Sequence, residues 1–304
     1  NLSLIPIYKY LKKKINTNVF FFMGDIDDET KNKSSHLKSG EILLLENIRF
    51  FKGEKENEEN FAQKLASLGD IFINDAFSCS HRKQASIHKI TKFMKNCYAG
   101  PLCEKEIKAI DLVIKSKTKP LTCIIGGSKI STKINVISKL IQSVDNIIIV
   151  GAMANNFLAY KGYEIGKSLI EKDSEDIIEK IYKEVEKFKC NIVIPVDCNI
   201  SHSFDGAGIS KKADSIKKDE IILDIGPETI KKIEKIIEES KTVLWNGPAG
   251  YFENIKFATG TNAIALKISE RTSQKSLKSI LGGGDTISAI NMIKKRLSFS
   301  HLST

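Results

Sequence analysis

The feature that most constrains this chain is a rhythm running from residue 120 to residue 290. Short apolar runs stop abruptly on turn residues, and amphipathic stretches separate them. Residues 121–125 end in Gly126-Gly127, residues 146–150 in Gly151, and residues 191–196 in Asp197. Residues 242–245 run into Asn246-Gly247-Pro248, and residues 279–281 into Gly282-Gly283-Gly284-Asp285. Each run has the length and punctuation of a buried strand. Between them, residues 227–239 carry Ile230, Ile233, Ile236 and Ile237 on one helical face, with Pro227 in the first turn. Residues 174–188 repeat the pattern with Ile177, Ile178, Ile181, Val185 and Phe188, and residues 134–141 and 286–293 are shorter helical segments. Strand alternating with helix predicts an α/β protein with a doubly wound parallel sheet.

The first hundred residues follow this logic less cleanly. Residues 19–23, 42–45 and 71–73 have strand character, and residues 58–68 have a helical face of Phe61, Leu65 and Leu68. A length of 304 residues suits two domains. Ala99-Gly100-Pro101, followed by the amphipathic stretch 102–114, marks the boundary as a linking helix. The expected division is 1–98 and 99–304.

In open α/β sheets, ligands bind at the carboxyl ends of strands, and here those ends carry the unusual residues. Gly126-Gly127-Ser128-Lys129 and Gly282-Gly283-Gly284-Asp285-Thr286 each sit between a strand and a helix. Glycine lets backbone N–H groups approach phosphate oxygens, and a helix N-terminus adds partial positive charge. Lys129 and Lys133 fall near the start of a helix beginning at Ser131 or Thr132, which suits a phosphate chain. Asp285 is placed to serve Mg²⁺, which takes hard oxygen ligands and keeps phosphates as partners. Read singly, a Gly-Gly turn is a tight connection and an Asp at a helix start is an N-cap. Read together, the two loops point to nucleotide phosphates. Neither GxxxxGK[ST] nor GxGxxG is present, which sets aside the P-loop and dinucleotide fingerprints. In the first domain, Arg49 follows the 42–45 run, and His81-Arg82 follow Asn74-Asp75-Ala76-Phe77. Arginine at such positions binds phosphate or carboxylate bidentately, or else forms surface ion pairs.

Composition narrows the function classes. The formal net charge is +10, but only four of the 47 basic residues are arginine. The lysines alternate with glutamates along helical stretches, the pattern of solvated helix faces rather than of a nucleic-acid reader. Six cysteines show no CxxC pair and no metal-like grouping with the five histidines. This fits a reduced, cytoplasmic protein. No apolar run reaches the ~18–20 residues of a membrane helix.

The ordered set of motifs resembles the phosphoglycerate kinase family. It comprises LLLENIRFFKGEKENEENFAQKLASLGDIFINDAFSCSHR at 43–82, GGSKISTKI at 126–134, GAMANNFLAYKGYEIGKSL at 151–169 and IPVD at 194–197. DIGPET at 224–229, WNGPAGYFE at 245–253, FATGT at 257–261 and GGGDT at 282–286 complete it. The resemblance implies two Rossmann-like domains joined by a helix and hinged, and a phosphotransferase with a carboxyl acceptor. Such an enzyme moves phosphoryl between 1,3-bisphosphoglycerate and ADP, giving 3-phosphoglycerate and ATP, with Mg²⁺. It implies that Arg49, His81 and Arg82 bind phosphoglycerate, with Arg49, Lys129 and Lys133 catalytic. Lys129, Lys133, Gly151, Asn246, Glu253, Gly282, Gly283, Gly284, Asp285 and Thr286 would hold the nucleotide, with Asp285 serving the metal. The expected partners are small molecules, with no nucleic acid and no membrane, and the expected state is a monomer.

Departures accompany the resemblance. The family's Asp-x-Asn strand and Ser-His-x-Gly-Arg-Pro segment are not in this chain, nor are its last glycine-rich loop and returning tail. The N-terminal domain is therefore expected to be incomplete, with exposed sheet edges, and the polypeptide to bind nucleotide weakly with little turnover. Ser78 stands where glycine is usual, and Lys83-Gln84 replace Ala-His. The alternative reading is an inactive remnant that keeps nucleotide binding.

Overall fold

The computed structural model describes residues 2–114, 118–131 and 133–303. The chain divides into two compact units, Asn1–Ile107 and Lys108–Thr304. The divide falls inside a helix that the sequence reading assigned whole to the second domain.

The first unit contains α1 (Ile5–Lys14), β1 (Val19–Phe22), α2 (Asp28–Ser35), β2 (Ile42–Leu45), α3 (Lys52–Lys55), α4 (Glu59–Ala66), β3 (Phe72–Asn74), β4 (Cys97–Ala99) and the start of α5 (Pro101–Ile114). Its strands form two parallel pairs, β1–β2 and β3–β4, rather than one continuous sheet. Strand β4 and helices α1, α2 and α3 were not anticipated. Helix α2 is polar throughout. It is held by a cap, the Asp27 carboxylate accepting from Thr30 N at 3.1 Å, and not by an apolar stripe. The faces of the pairs leave Phe20, Ile73 and Tyr98 exposed. Glu54, on α3, is 1% exposed and accepts from Ser86 N at 2.8 Å and Ser86 Oγ at 2.7 Å, tying α3 to the 85–90 segment.

The second unit is built on a six-stranded, all-parallel sheet in the order β13-β12-β11-β5-β6-β7. Its strands are β5 (Leu121–Ile125), β6 (Asn146–Ile149), β7 (Asn191–Val193), β11 (Thr242–Asn246), β12 (Lys278–Gly282) and β13 (His301–Leu302). The helices are α6 (Ile134–Ile141), α7 (Ala152–Tyr160), α8 (Glu175–Phe188), α9 (Pro227–Glu239), α10 (Thr259–Ser273) and α11 (Gly284–Met292).

Alternation along β5 separates two cores. Cys123 and Ile125 pack with Ile137, Phe157, Ile178 and Ile181 from α6, α7 and α8. Ile124 packs on the other face with Ile233, Ile237, Ile264 and Ile268 from α9 and α10. The isoleucines read as helix faces therefore do cover the sheet, and truncating any fully buried one to Ala would cost about 2–5 kcal/mol.

One feature departs from the parallel expectation. The run at 191–196 stops as a strand at Val193. The chain then turns into a three-stranded antiparallel sheet of β8 (Asp197–Ser201), β9 (Ile209–Lys212) and β10 (Ile221–Ile225), in the order β10-β8-β9. Asp197 is its pivot. Its carboxylate accepts from Glu228 N at 2.9 Å and Thr229 N at 2.7 Å, capping α9.

Candidate active site

The chain runs outward from β5 to β6 and β7, then returns to place β11 on the other side of β5. Helices α6 and α10 consequently leave the sheet on opposite faces, which opens a crevice above the carboxyl ends of β5 and β11. The glycine-rich loops meet at this crevice.

Their approach is close enough to exclude side chains. Gly126 N donates to Asn246 O at 2.8 Å, and a Cβ on Gly126 would lie 2.2 Å from Pro248 O. Gly283, with φ +93°, puts its Cα where a Cβ would lie 2.9 Å from Asn246 Nδ2. Met153 N donates to Gly127 O at 2.7 Å and Gly151 N to Ala249 O at 3.1 Å, so the turns after β5, β6 and β11 interlock. Thr286 Oγ1 is fully buried and accepts from Gly247 N at 2.7 Å. Its hydroxyl thus fastens the start of α11 to the turn after β11.

Lys133, at the cap of α6, reaches back into this cluster. Its Nζ donates to Gly126 O at 2.6 Å and to Asn246 Oδ1 at 3.0 Å. An ammonium has three N–H donors, so one remains for a ligand oxygen. Burial holds the lysine's pKa below its ordinary value, while the Asp285 carboxylate and the Cys123 sulfur act in the opposite direction. Cys123 lies beneath, its thiol pushed up to about 12 by burial. Lys129 is exposed on the preceding loop. That loop is anchored by Glu171, which accepts from Ser131 N at 3.0 Å and from Ser131 Oγ. Thr132 lies outside the described residues.

Beside the loops is a cavity of about 320 Å³. Gly151, Glu253 and Asp285, all anticipated from the sequence, line it, and Leu158, Leu169 and Leu223 give it apolar walls. An apolar slot with a few polar groups, beside loops rich in N–H donors, suits a nucleoside joined to phosphates. Asp285 is exposed in the first turn of α11, and Gly282, Gly283 and Gly284 precede or open that helix. Among the described residues no group of three or more His, Cys, Asp or Glu side chains is placed to hold a metal ion. A single carboxylate is still the donor set that Mg²⁺ uses when phosphates supply further oxygens.

Two residues on the cavity wall escaped the sequence reading. Asp224 accepts from Ile225 N at 2.9 Å and Gly260 N at 2.8 Å, so it holds the N-terminus of α10. Burial raises its pKa to about 7 against the opposing pull of these N–H groups. Asn155, 1% exposed, belongs to an Asn-Asn pair inside the apolar helix α7. A pair of amides in an apolar run is the signal that could have marked it.

In the first unit, Arg49, His81 and Arg82 are exposed. Arg49 Nη2 lies 3.1 Å from Cys79 Sγ, which places it beside the 77–82 segment that carries the other two.

The family model for phosphoglycerate kinase matches residues 1–304. The chain belongs to the phosphoglycerate kinase family. It is 45% identical over 292 residues to the phosphoglycerate kinase of Wolbachia sp. subsp. Drosophila simulans (strain wRi), covering 96% of this chain and 73% of that protein. It is 44% identical over 304 residues to that of Buchnera aphidicola subsp. Acyrthosiphon pisum (strain 5A), covering 99% and 74%. The structure is similar to phosphoglycerate kinase from Coxiella burnetii, with TM-score 0.79, 36% identity and coverage of 99% and 75%. It is similar also to that from Pyrococcus horikoshii OT3, with TM-score 0.82, 26% identity and coverage of 99% and 77%. The chain thus spans about three quarters of these relatives' length. Membership of the phosphoglycerate kinase family makes it a phosphotransferase and favours the kinase over the inactive-remnant reading. Among the described residues no helix is long and apolar enough to cross a membrane.

Proposed function

We propose that the protein transfers a phosphoryl group reversibly between 1,3-bisphosphoglycerate and ADP, yielding 3-phosphoglycerate and ATP. The second unit holds the nucleotide, and the first binds phosphoglycerate through Arg49, His81 and Arg82. The observation that carries the reading is the junction of Lys133, Asn246 and Gly283, on loops whose Gly127 and Asp285 line an apolar cavity.

The chemistry needs few proton transfers. The acceptor carboxylate is already ionised, so catalysis consists of positioning and neutralising charge on a loose phosphoryl transition state. Lys133 presents its third N–H to the transferring group, and Lys129 adds a second cation from the same loop. Backbone N–H groups at the start of α11 receive phosphate oxygens. Leu158, Leu169 and Leu223 flank the base, and Glu253 accepts from ribose hydroxyls. Asp285 would hold Mg²⁺ with the nucleotide phosphates, and the ion would neutralise developing charge there. We place the enzyme in the cytoplasm as a monomer acting on free small molecules and not on nucleic acid. Its cysteines are free among the described residues, which agrees with a reducing compartment.

The test is a coupled assay that detects ADP formed from ATP and 3-phosphoglycerate in the presence of Mg²⁺. ADP formation that depends on 3-phosphoglycerate is expected, in place of the little turnover expected from an incomplete N-terminal domain. ATP hydrolysis indifferent to 3-phosphoglycerate, or no nucleotide consumption at all, would overturn the proposal.

A further inference from the structure

Asn155 and Asn156 sit side by side in α7, each 1% exposed, and both hold the segment that follows the helix. Asn155 Nδ2 donates to Leu169 O at 2.9 Å. Asn156 Oδ1 accepts from Glu171 N at 2.9 Å and from Ser174 Oγ at 3.2 Å, while its Nδ2 donates to Met153 O at 3.2 Å. Hydrogen bonds to buried amides are shielded from water and hold their partners firmly. The backbone at residues 169 and 171 is therefore tied to α7.

From this anchored backbone the Glu171 side chain reaches the loop after β5. Its carboxylate accepts from Ser131 N at 3.0 Å and from Ser131 Oγ. At the other end of the loop, Met153 N donates to Gly127 O at 2.7 Å. Lys129 stands midway, two residues from each fastening. The hydrogen bonds from Ser131 are the main cause that holds the Glu171 carboxyl below its ordinary value, and the Lys129 charge adds the least. The carboxylate is thus engaged chiefly with the loop backbone and hydroxyl, and only secondarily as a counter-charge to the lysine. Lys133 is held separately, by Gly126 O and Asn246 Oδ1. A cation serves phosphate oxygens best when its place is fixed before the ligand arrives, because no ordering cost is then met on binding.

We infer that Glu171 is a positioning residue: through Ser131 it fixes the loop that carries Lys129, so that this ammonium is already in place for the nucleotide phosphates. This rests on the nucleotide reading of the cavity. It adds that the segment whose Leu169 walls the slot also holds the phosphate-facing loop, two residues further along the chain.

The test compares binding of adenosine with that of the β,γ-imido analogue of ATP in the presence of Mg²⁺, by isothermal titration calorimetry. Truncating the Glu171 side chain leaves its N–H on Asn156 and so leaves the Leu169 wall in place. Glu171→Ala should bind the analogue about fivefold more weakly, the scale of a lost charge-assisted anchor, and adenosine as before. Glu171→Gln should restore the analogue's affinity, since its Oε1 can accept from Ser131 N and its Nε2 can donate to Ser131 Oγ. In a Lys129→Ala background, Glu171→Ala should cost nothing further. Equal weakening of both compounds would show a general structural role and overturn the proposal. Unchanged or tighter binding of the analogue by Glu171→Ala would overturn it too, since the carboxylate would then merely neutralise Lys129. A loss that Glu171→Gln fails to rescue, or that persists undiminished in Lys129→Ala, would do the same. Ser131→Ala removes one of the two bonds and should give a smaller loss for the analogue alone, which keeps the test open should Glu171→Ala fail to fold. Binding of neither compound by the unsubstituted protein would instead remove the nucleotide reading, and this inference with it.

Discussion

Lys133 Nζ and Asn246 Oδ1 lie 3.0 Å apart although 113 residues separate them in the chain. The contact joins the loop after β5 to the end of β11, and Asn246 Nδ2 in turn faces Gly283. One amide therefore sets both the cation and the glycine loop. Lys133→Ala should lower kcat by about 10²–10³-fold, the scale of losing one preorganised charge at a transition state. Asn246→Ala should also lower kcat, by less, because Lys133 keeps its bond to Gly126 O. Steady-state kinetics would check both, and an unchanged kcat in Lys133→Ala would remove its assigned role.

Asp285 supports the ammonium form of Lys133 against the burial that opposes it. Replacing the carboxylate with an amide removes that support, so the lysine should release its proton at lower pH in Asp285→Asn. A ¹³C NMR titration of the Lys133 Cε resonance reads this directly and does not depend on turnover. A midpoint that stays put or rises would contradict the geometry.

Asp224 predicts a pH dependence of stability. Its carboxyl has a pKa of about 7 in the fold, against about 3.9 in an unfolded chain. Between those values the folded protein retains a proton that the unfolded chain has lost, so this group makes stability fall as pH rises from about 4 to about 7. Asp224→Asn cannot ionise and should flatten that slope, as measured by thermal unfolding across the same range. An equal slope in both proteins would show that Asp224 titrates normally.

Glu54 is the corresponding structural anchor of the first unit. Glu54→Ala strips half-buried Ser86 of partners for both its N–H and its hydroxyl. The expected loss is about 2–3 kcal/mol in denaturant unfolding, and Ser86→Ala should cost less because the backbone N–H bond survives.

Much of the second unit was legible because its central strands β5, β6, β11 and β12 are mostly buried and run into glycine turns, and its outer helices have one wet face. Ile233 and Ile237 could be placed on the core side of α9 from spacing alone. Helix α10 was not legible, because small and polar residues are mixed with its buried Ile264 and Ile268 and no clean apolar stripe results. The turn from β7 into an antiparallel sheet was hidden as well. It depends on Asp197 capping α9 from more than thirty residues away, and local patterns carry no such information. Strand β4 has three residues, all exposed, and so offers no alternation to read.

By itself, the sequence determined where the strands that lead into the glycine loops end, which loops are glycine-rich, and which cations and carboxylates flank them. These follow from local sterics and burial periodicity, which need only neighbouring residues. The tertiary structure decided how the groups are used. Thr286, anticipated as a phosphate contact, also accepts from Gly247 N with its hydroxyl oxygen. Lys133 is stationed by Asn246, and Asn155 spends its amide N–H on Leu169 O. A hydrogen bond between residues far apart in the chain exists only once the sheet order brings their strand ends together. The return of β11 to the side of β5 decided which polar groups are spent on the fold and which remain for a ligand.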